Sequence, residues 1–242
     1  MIPKIIHYSW LSGEEMPELY KNCIETWKKY LPDYEIKIWD GNNEEIINIP
    51  FVKRCIERRN WAFASDYIRA YALYNYGGIY MDADVEVYKS FNNLLDFDYV
   101  CGLEWFRKKR NAFEYGFETA ILMFEKQHPI IKEWLDLYNN YYINSKEIYI
   151  APLVFRQAIS KHKTYINIIS SAKFNSGIKV NYSEDNAFYV FDKEFFSPID
   201  YNTKTSIRNA NTYTCHHMIS GWVSEKNKDY EVDLINGKVI MS

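Results

Sequence analysis

The chain reads as an α/β domain built on a mostly parallel sheet, and three features predict this. Its first 40 residues run strand, helix, strand, the βαβ pattern that lays two strands side by side in parallel. Further on, a glycine pair, Gly77-Gly78, separates a long helical stretch from a short apolar run, Ile79-Tyr80-Met81, that reads as a buried strand. That run ends in two aspartates one residue apart, Asp82 and Asp84. Open parallel sheets bind their ligands at the carboxyl ends of their strands.

Taken in order, Lys4 to Tyr8 forms the first strand and Trp10-Leu-Ser-Gly13 the loop after it. Glu18 to Tyr30 follows Pro17, which suits a helix start, and places Leu19, Cys23 and Trp27 at helical spacing, with Ile24 and Leu31 adjacent. Pro32-Asp33 stops that helix. Glu35 to Trp39 alternates strictly and makes the second strand, closed by Asp40-Gly41. A second helical region, 52–76, contains Ala64 to Leu73 and runs into Gly77-Gly78, a helix stop. Further strands are expected at Tyr99–Glu104 and Thr119–Phe124. Pro129 opens a helix reaching about Tyr142, and Pro152 to Ser160 offers another. From Ser170 to Arg208 the chain reads as irregular, with short strands and polar loops. With no repeats, low-complexity tracts or linker, residues 1–242 are expected to form one domain.

Composition narrows the function. A net charge of −3 leaves no electrostatic footprint for nucleic acid. The 22 Tyr and 7 Trp could stack on sugars or bases, although most belong in the core. The four cysteines, Cys23, Cys55, Cys101 and Cys215, form no CxxC pair. Met1-Ile-Pro-Lys-Ile-Ile begins a strand and is too short an apolar run for a signal peptide, which predicts a reduced, cytoplasmic protein. No stretch approaches the roughly 18 apolar residues of a membrane span. The basic run Arg107-Lys-Lys-Arg110 beside Trp105 and Phe106 reads as a solvated loop or as a contact to anionic lipid or an anionic acceptor.

The chemistry centres on Asp82 and Asp84. Carboxylates at the end of a buried strand are costly to desolvate unless something pairs with them. A divalent cation does so, and hard oxygen ligands favour Mg²⁺ or Mn²⁺. A metal held there can grip a diphosphate and stabilise its charge as it leaves. The bland alternative is an exposed turn. Asp66 and Arg69, three apart, share a helix face and are either an ordinary surface pair or a binder of sugar and diphosphate, for which the planar fork of Arg is suited. His216-His-Met-Ile-Ser-Gly-Trp222 packs two histidines, a serine and a tryptophan into seven residues. Its imidazoles suit a transition metal, and Trp222 could cover a site as a mobile element.

Ile2-Pro-Lys-Ile-Ile-His-Tyr-Ser-Trp10, Ala64-Ser-Asp-Tyr-Ile-Arg69, Tyr76-Gly-Gly-Ile-Tyr-Met-Asp-Ala-Asp84 and the terminal His-His…Ser-x-Trp together resemble the DXD-containing sugar transferases. That group includes capsular-polysaccharide transferases and mannosyltransferases that initiate outer glycan chains. More distantly, the segments resemble the clostridial glucosylating toxins. The resemblance implies a GT-A fold with a mixed, mostly parallel sheet, a divalent metal (Mn²⁺ or Mg²⁺), a nucleotide-sugar donor, favouring a UDP-sugar, and retention of anomeric configuration. It further implies a growing surface polysaccharide, as in capsule or lipopolysaccharide synthesis, or a lipid-linked glycan as acceptor, which would place the enzyme at the inner face of the membrane.

Carried over by position, Trp10 would stack on the base, and Asp66 and Arg69 would bind the donor sugar. Tyr80 would touch the phosphate or sugar, and Asp82 the ribose or a metal-bound water. Asp84 would ligate the metal directly, with His217 as the C-terminal metal ligand. Ser220 and Trp222 would close over the diphosphate. Two departures stand out. Glu118 lies where relatives often carry Asn, as a polar contact or a carboxylate facing the reacting carbon, and Ala151-Pro152 replaces the more usual Gly-Pro. Two rivals remain: an aspartate-nucleophile phosphatase, which expects Thr or Val where Glu86 stands, and a non-catalytic sugar-binding protein on a decayed transferase fold.

Overall fold

β1 (Ile5–Trp10), α1 (Glu18–Tyr30) and β2 (Glu35–Asp40) form the expected βαβ unit, with β1 and β2 parallel from Ile5 opposite Glu35 to Trp10 opposite Asp40. The computed structural model describes residues 1–106, 114–145, 147–182, 186–199, 205–219, 230–233 and 238–241. Helix α1 buries Cys23 and Trp27, one turn apart on one face. The Trp27 indole N–H donates to the Val85 carbonyl at 2.6 Å, and the Thr26 hydroxyl accepts from the Val87 amide at 2.9 Å. These bonds fasten the helix to the strand that follows the aspartates. Removing the Trp27 ring, which is fully buried, would cost about 3–5 kcal/mol.

Where one helical stretch was expected over 52–76, the chain forms two helices, α3 (Pro50–Glu57) and α4 (Trp61–Tyr76), after a short α2 (Glu44–Ile47). The break falls at Arg59, which adopts a left-handed φ of 55°; Arg58-Arg59-Asn60 offers no apolar residue to continue the buried face. Helix α4 is buried on several sides, as a helix inside the molecule must be. It ends at Gly77, with φ 68°. Gly78 has φ 99°, and a Cβ there would lie 2.5 Å from the Ile5 carbonyl oxygen. Only glycine lets β3 (Gly78–Met81) approach β1 so closely.

Strand β3 is buried at every residue, which explains why its sequence is continuously apolar rather than alternating. It leads through the aspartates into β4 (Val85–Val87). The remaining strands of the main sheet are β5 (Tyr99–Phe106), β6 (Glu114–Phe124), β8 (Tyr165–Ile169) and β9 (Ala187–Phe191). Seven strands lie in the order β2-β1-β3-β6-β5-β9-β8. Only β6 runs antiparallel to its neighbours, β3 and β5, and the other pairs are parallel. This is the mixed, mostly parallel α/β sheet that the GT-A resemblance implies.

The helix opened by Pro129 is α5 (Pro129–Leu137), which continues as a π-helical turn over Tyr138–Tyr142. Between β7 (Glu147–Tyr149) and β8 lies α6 (Ala151–Ser160), and α7 (Ser171–Asn175) follows β8. Strand β8 was not expected. It is an edge strand with only Ile169 buried, so no alternation marks it. Strand β10 (Thr214–His216) pairs antiparallel with β4, while β11 (Tyr230–Asp233) and β12 (Lys238–Met241) extend β7. All four cysteines are buried thiols. Among the described residues no helix is long and apolar enough to cross a membrane.

Candidate active site

At the end of β3 the Asp82 amide donates to the Ala120 carbonyl of β6 at 2.8 Å, and the chain turns so that the Val85 amide returns to the Asp82 carbonyl at 3.0 Å. The turn leaves the Asp82 side chain 28% exposed and that of Asp84 only 8%, so Asp84 is no solvent-facing turn residue. Its Oδ2 accepts from the Ile219 amide at 3.0 Å, and its carbonyl accepts from the His217 amide at 3.1 Å. Asp84 thus holds the segment after β10 against the strand end.

Asp66 and Arg69 face this turn from α4, and both are buried. Arg69 Nη2 lies 2.9 Å from Asp66 and 3.4 Å from Asp82, while Nη1 donates to the Thr119 carbonyl at 2.5 Å. The Arg69 Nε is buried with no partner among the described atoms. Burial pushes the Asp66 carboxyl up to about 6, against the pull of Arg69 and of the Ala151 amide at the head of α6. On Arg69 burial also opposes the charge, but Asp82 and Asp66 outweigh it and raise its pKa. The partners differ because two carboxylates flank the guanidinium, whereas one guanidinium must serve Asp66.

Tyr80 is not where it was expected. Between β1 and β6 its side chain is fully buried, its hydroxyl meets the Ser9 hydroxyl at 3.0 Å, and its ring lies beneath the Arg69 guanidinium at 4.9 Å. It packs beneath Arg69, with no surface open to solvent.

Pairing with β4 sets His216 opposite Val85. Its Nε2 lies 3.6 Å from Asp84 Oδ1 and its Nδ1 3.5 Å from Glu118 Oε2. Asp82, Asp84 and His216 each offer one ligand atom, all within 4.8 Å of one another. His217, expected as the metal ligand, instead meets Glu86 Oε2 at 3.1 Å. Successive residues of an extended strand point to opposite faces, so a one-residue difference decides which imidazole meets the aspartates. With Thr214 and Cys215 both buried, no alternation along this short strand could have found it.

Glu118 is also placed differently. It is fully buried, its Oε1 accepts from the Ala120 amide at 2.7 Å, and its Oε2 accepts from the Ser197 hydroxyl and faces His216. A carboxylate engaged in this way is not presented to a reacting carbon. Glu104 also lies within reach of Glu118 and His216, and neither it nor Ser197 was anticipated. Burial drives the Glu104 carboxyl well up, helped by Glu118. Glu118 moves the other way, because His216, Ser197 and the Ala120 amide together outweigh burial. His216 is held well above the ordinary imidazole value, since Asp84 and Glu118 overcome the burial that opposes its charge. Asp82 is raised, by burial first and then by repulsion from Asp84 and Glu118.

Five carboxylates (Asp66, Asp82, Asp84, Glu104 and Glu118) thus share a small region with one guanidinium and one imidazole. Such an excess of negative charge invites a cation. Two carboxylates and an imidazole form a donor set suited to Mn²⁺, with Mg²⁺ served mainly by the oxygens, so the residues present fit the expected metal.

Trp10 stands nearby, its ring centroid 5.3 Å from that of Tyr20 and its indole N–H bonded to the Glu14 carbonyl at 2.8 Å. The Tyr20 phenol is raised by burial and then by the charges of Asp84 and Asp82. Ser220, Trp222 and the basic run 107–110 lie outside the described residues. A separate groove of about 400 Å³, lined by Tyr141, Tyr142, Tyr149, Gln157 and Lys161 among others, shares no residue with this cluster.

Residues 17–101 match the family described as the glycosyltransferase sugar-binding region containing DXD motif. The resemblance drawn from the sequence therefore holds over the stretch that contains α1, α4 and both aspartates. The chain is 30% identical over 138 residues to inositol phosphoceramide mannosyltransferase 3 of Schizosaccharomyces pombe, covering 54% of this chain and 35% of that protein. The chain thus spans about a third of that relative's length. Among solved structures it is similar to the PaToxG glycosyltransferase, with 25% identity and a TM-score of 0.49 over 66% of this chain and 69% of that one. It is also similar to the galactosyltransferase LgtC in complex with donor and acceptor sugar analogs, with 14% identity and a TM-score of 0.44 over 95% and 90%.

Proposed function

We propose that this chain, whose residues 17–101 carry the DXD sugar-binding region, transfers a sugar from a nucleotide sugar to a glycan acceptor with the help of a divalent metal. The observation that carries this reading is the meeting of Asp82, Asp84 and His216 at a strand end, with Arg69 alongside. Asp82, Asp84 and His216 would hold Mn²⁺ or Mg²⁺, which supplies positive charge to a diphosphate as it leaves. Arg69 is held in place by Asp66, Asp82 and Thr119 and would bring its positive charge to the donor's phosphate or sugar. Asp66 would share in binding the donor sugar, Trp10 and Tyr20 would pack against the base, and Ser220 and Trp222 would close over the diphosphate.

In the transfer, the bond from the anomeric carbon to the diphosphate oxygen breaks while one to the acceptor hydroxyl forms, through an oxocarbenium-like state. Glu118, engaged at both oxygens and fully buried, is a poor nucleophile for a double displacement. This favours a front-face route with retention, in which the leaving phosphate takes the acceptor's proton. The donor is proposed to be a UDP-sugar. Similarity to inositol phosphoceramide mannosyltransferase 3 supports testing mannose as the sugar and a lipid-linked glycan as the acceptor; action at the inner face of a membrane is part of the same proposal. The whole of residues 1–242 is proposed to act as one transferase domain.

The test is a panel of UDP- and GDP-sugars scored for nucleotide release with Mn²⁺ and with EDTA. Mn²⁺-dependent release from one donor, lost in Asp84→Asn, is expected. Silence across the panel, with no Mn²⁺-dependent nucleotide binding, would sink the reading in favour of a non-catalytic sugar-binding protein.

A further inference from the structure

The geometry points to Glu118 as a positioning residue: its Oε2 faces His216 Nδ1 and holds the ring so that Nε2 is turned toward Asp82 and Asp84, where the cation binds. The inference rests on the metal reading above and adds to it a residue that touches neither donor nor acceptor.

Three observations carry it. The His216 ring lies between two carboxylates at ion-pair distance, with Nδ1 3.5 Å from Glu118 Oε2 and Nε2 3.6 Å from Asp84 Oδ1, and the buried Nδ1 makes no hydrogen bond to any other described residue. A neutral imidazole can give its lone pair to a metal through one nitrogen only while the other carries the proton. A carboxylate facing that second nitrogen selects the tautomer, fixes the ring plane and raises the basicity of the ligating nitrogen. Glu118 is itself anchored at both ends: its Oε1 accepts from the Ala120 amide at 2.7 Å, and its Oε2 accepts from the Ser197 hydroxyl. Ser197 is in turn fixed, its amide donating to the Lys193 carbonyl at 2.9 Å, while the adjacent Phe196 carbonyl accepts from the Thr214 hydroxyl of β10 at 2.8 Å. Finally, Glu118 is fully buried. A carboxylate is expensive to place there, and the arrangement is intelligible if its charge serves a cation-binding imidazole.

The neighbouring trio Glu104, Glu118 and His216 would hold a cation directly in the rival arrangement. The two arrangements differ in which carboxylate is indispensable. If Glu118 positions, Asp84 carries the affinity and Glu118 modulates it. If Glu118 ligates, the order reverses.

The experiment measures Mn²⁺ binding to the purified full chain by titration calorimetry and by loss of the free-ion electron paramagnetic resonance signal. Wild type, Asp84→Asn, Glu118→Gln and Ser197→Ala are compared, with ring ¹⁵N shifts of His216 recorded in saturating diamagnetic Mg²⁺. Glu118→Gln is expected to weaken Mn²⁺ about 10- to 100-fold, to leave the number of sites unchanged and to shift the His216 ring signals toward the other tautomer. Ser197→Ala should do the same by a smaller factor, and it answers the question should Glu118→Gln fail to fold. Mn²⁺ affinity equal to wild type in both variants, with Asp84→Asn weakened, would overturn the positioning role and leave the metal reading standing. A larger loss in Glu118→Gln than in Asp84→Asn would also overturn it, in favour of direct ligation. No Mn²⁺ binding by wild type would overturn both.

Discussion

His7 and His216 are both largely enclosed imidazoles of one molecule, yet they lie in opposite electrostatic settings. His7 sits on β1 among aromatic rings, donating from Nε2 to the Gly77 carbonyl at 2.9 Å and accepting from the Trp39 indole at Nδ1 at 3.3 Å. Only the neutral ring satisfies both bonds, since a proton on Nδ1 would face the indole N–H. Burial lowers its pKa to about 4. His216 meets Asp84 and Glu118 instead, and their charges drive it upward against burial. The βαβ core uses a polar ring as packing, whereas the strand-end cluster concentrates charge that packing alone does not explain.

The largest expected effect comes from breaking the charged side of this contrast. Asp84→Asn should lower Mn²⁺-dependent nucleotide release by about a thousandfold or more, since metal stabilisation of the leaving charge contributes several kcal/mol. Its urea midpoint should stay at or above that of wild type, because one of five crowded carboxylates is neutralised. Steady-state assay and equilibrium unfolding separate the two outcomes.

Next in size is Arg69→Met. It leaves Asp66 buried without its guanidinium and should cost about 3–5 kcal/mol in urea unfolding, along with activity. Asp66→Asn in the same background should restore part of that stability but none of the activity, which sharpens the split between packing and chemistry.

The neutral side predicts a pH dependence. Above pH 6.5 His7 is uncharged in both folded and unfolded chains and contributes no slope. Between about 6.5 and about 4 the unfolded chain binds a proton that the native ring refuses, so stability falls as pH is lowered, by up to about 1.4 kcal/mol per unit. His128, lowered to about 3 by burial, adds a second contribution that levels off lower still. Asp66, raised to about 6, acts with the opposite sign, gaining stability as pH falls from about 6 to its unfolded value. Denaturant midpoints of wild type and His7→Asn between pH 7.5 and 4.5 isolate the first contribution, and parallel curves would refute it. The smallest effect is reserved for the surface. Lys132→Ala removes an exposed pair with Asp136 at 2.6 Å and should change unfolding free energy by no more than about 0.5 kcal/mol.

Much of this was legible in the chain because it depends on local periodicity. Pro17 and the Cys23/Trp27 spacing defined α1 to its last residue, and Glu35 to Trp39 was legible as a strand, although its burial does not alternate: Ile38 is exposed and Trp39 fully buried. Gly77-Gly78 marked a helix end, while the close approach of β3 to β1 at Gly78 emerged only in the fold. The aspartates could be read because two charges at the end of an apolar run require a partner. Less could be read where the environment is made by distant segments. Asp66 and Arg69 look like a surface pair at helical spacing, and only α5, α6 and the sheet around them make the pair a buried one.

The sequence by itself determined the α/β class, the first βαβ unit and the strand end that carries Asp82 and Asp84, because each follows from residues adjacent in the chain. Tertiary structure alone decided that His216 rather than His217 meets the aspartates, and that Tyr80 supports Arg69. It also decided that Glu118 faces an imidazole instead of a substrate. Those outcomes turn on the register of β10 against β4 and on which face of β6 is covered by the stretch after β9. A one-residue shift of register reverses every side chain's direction, and no local pattern in a three-residue strand specifies it.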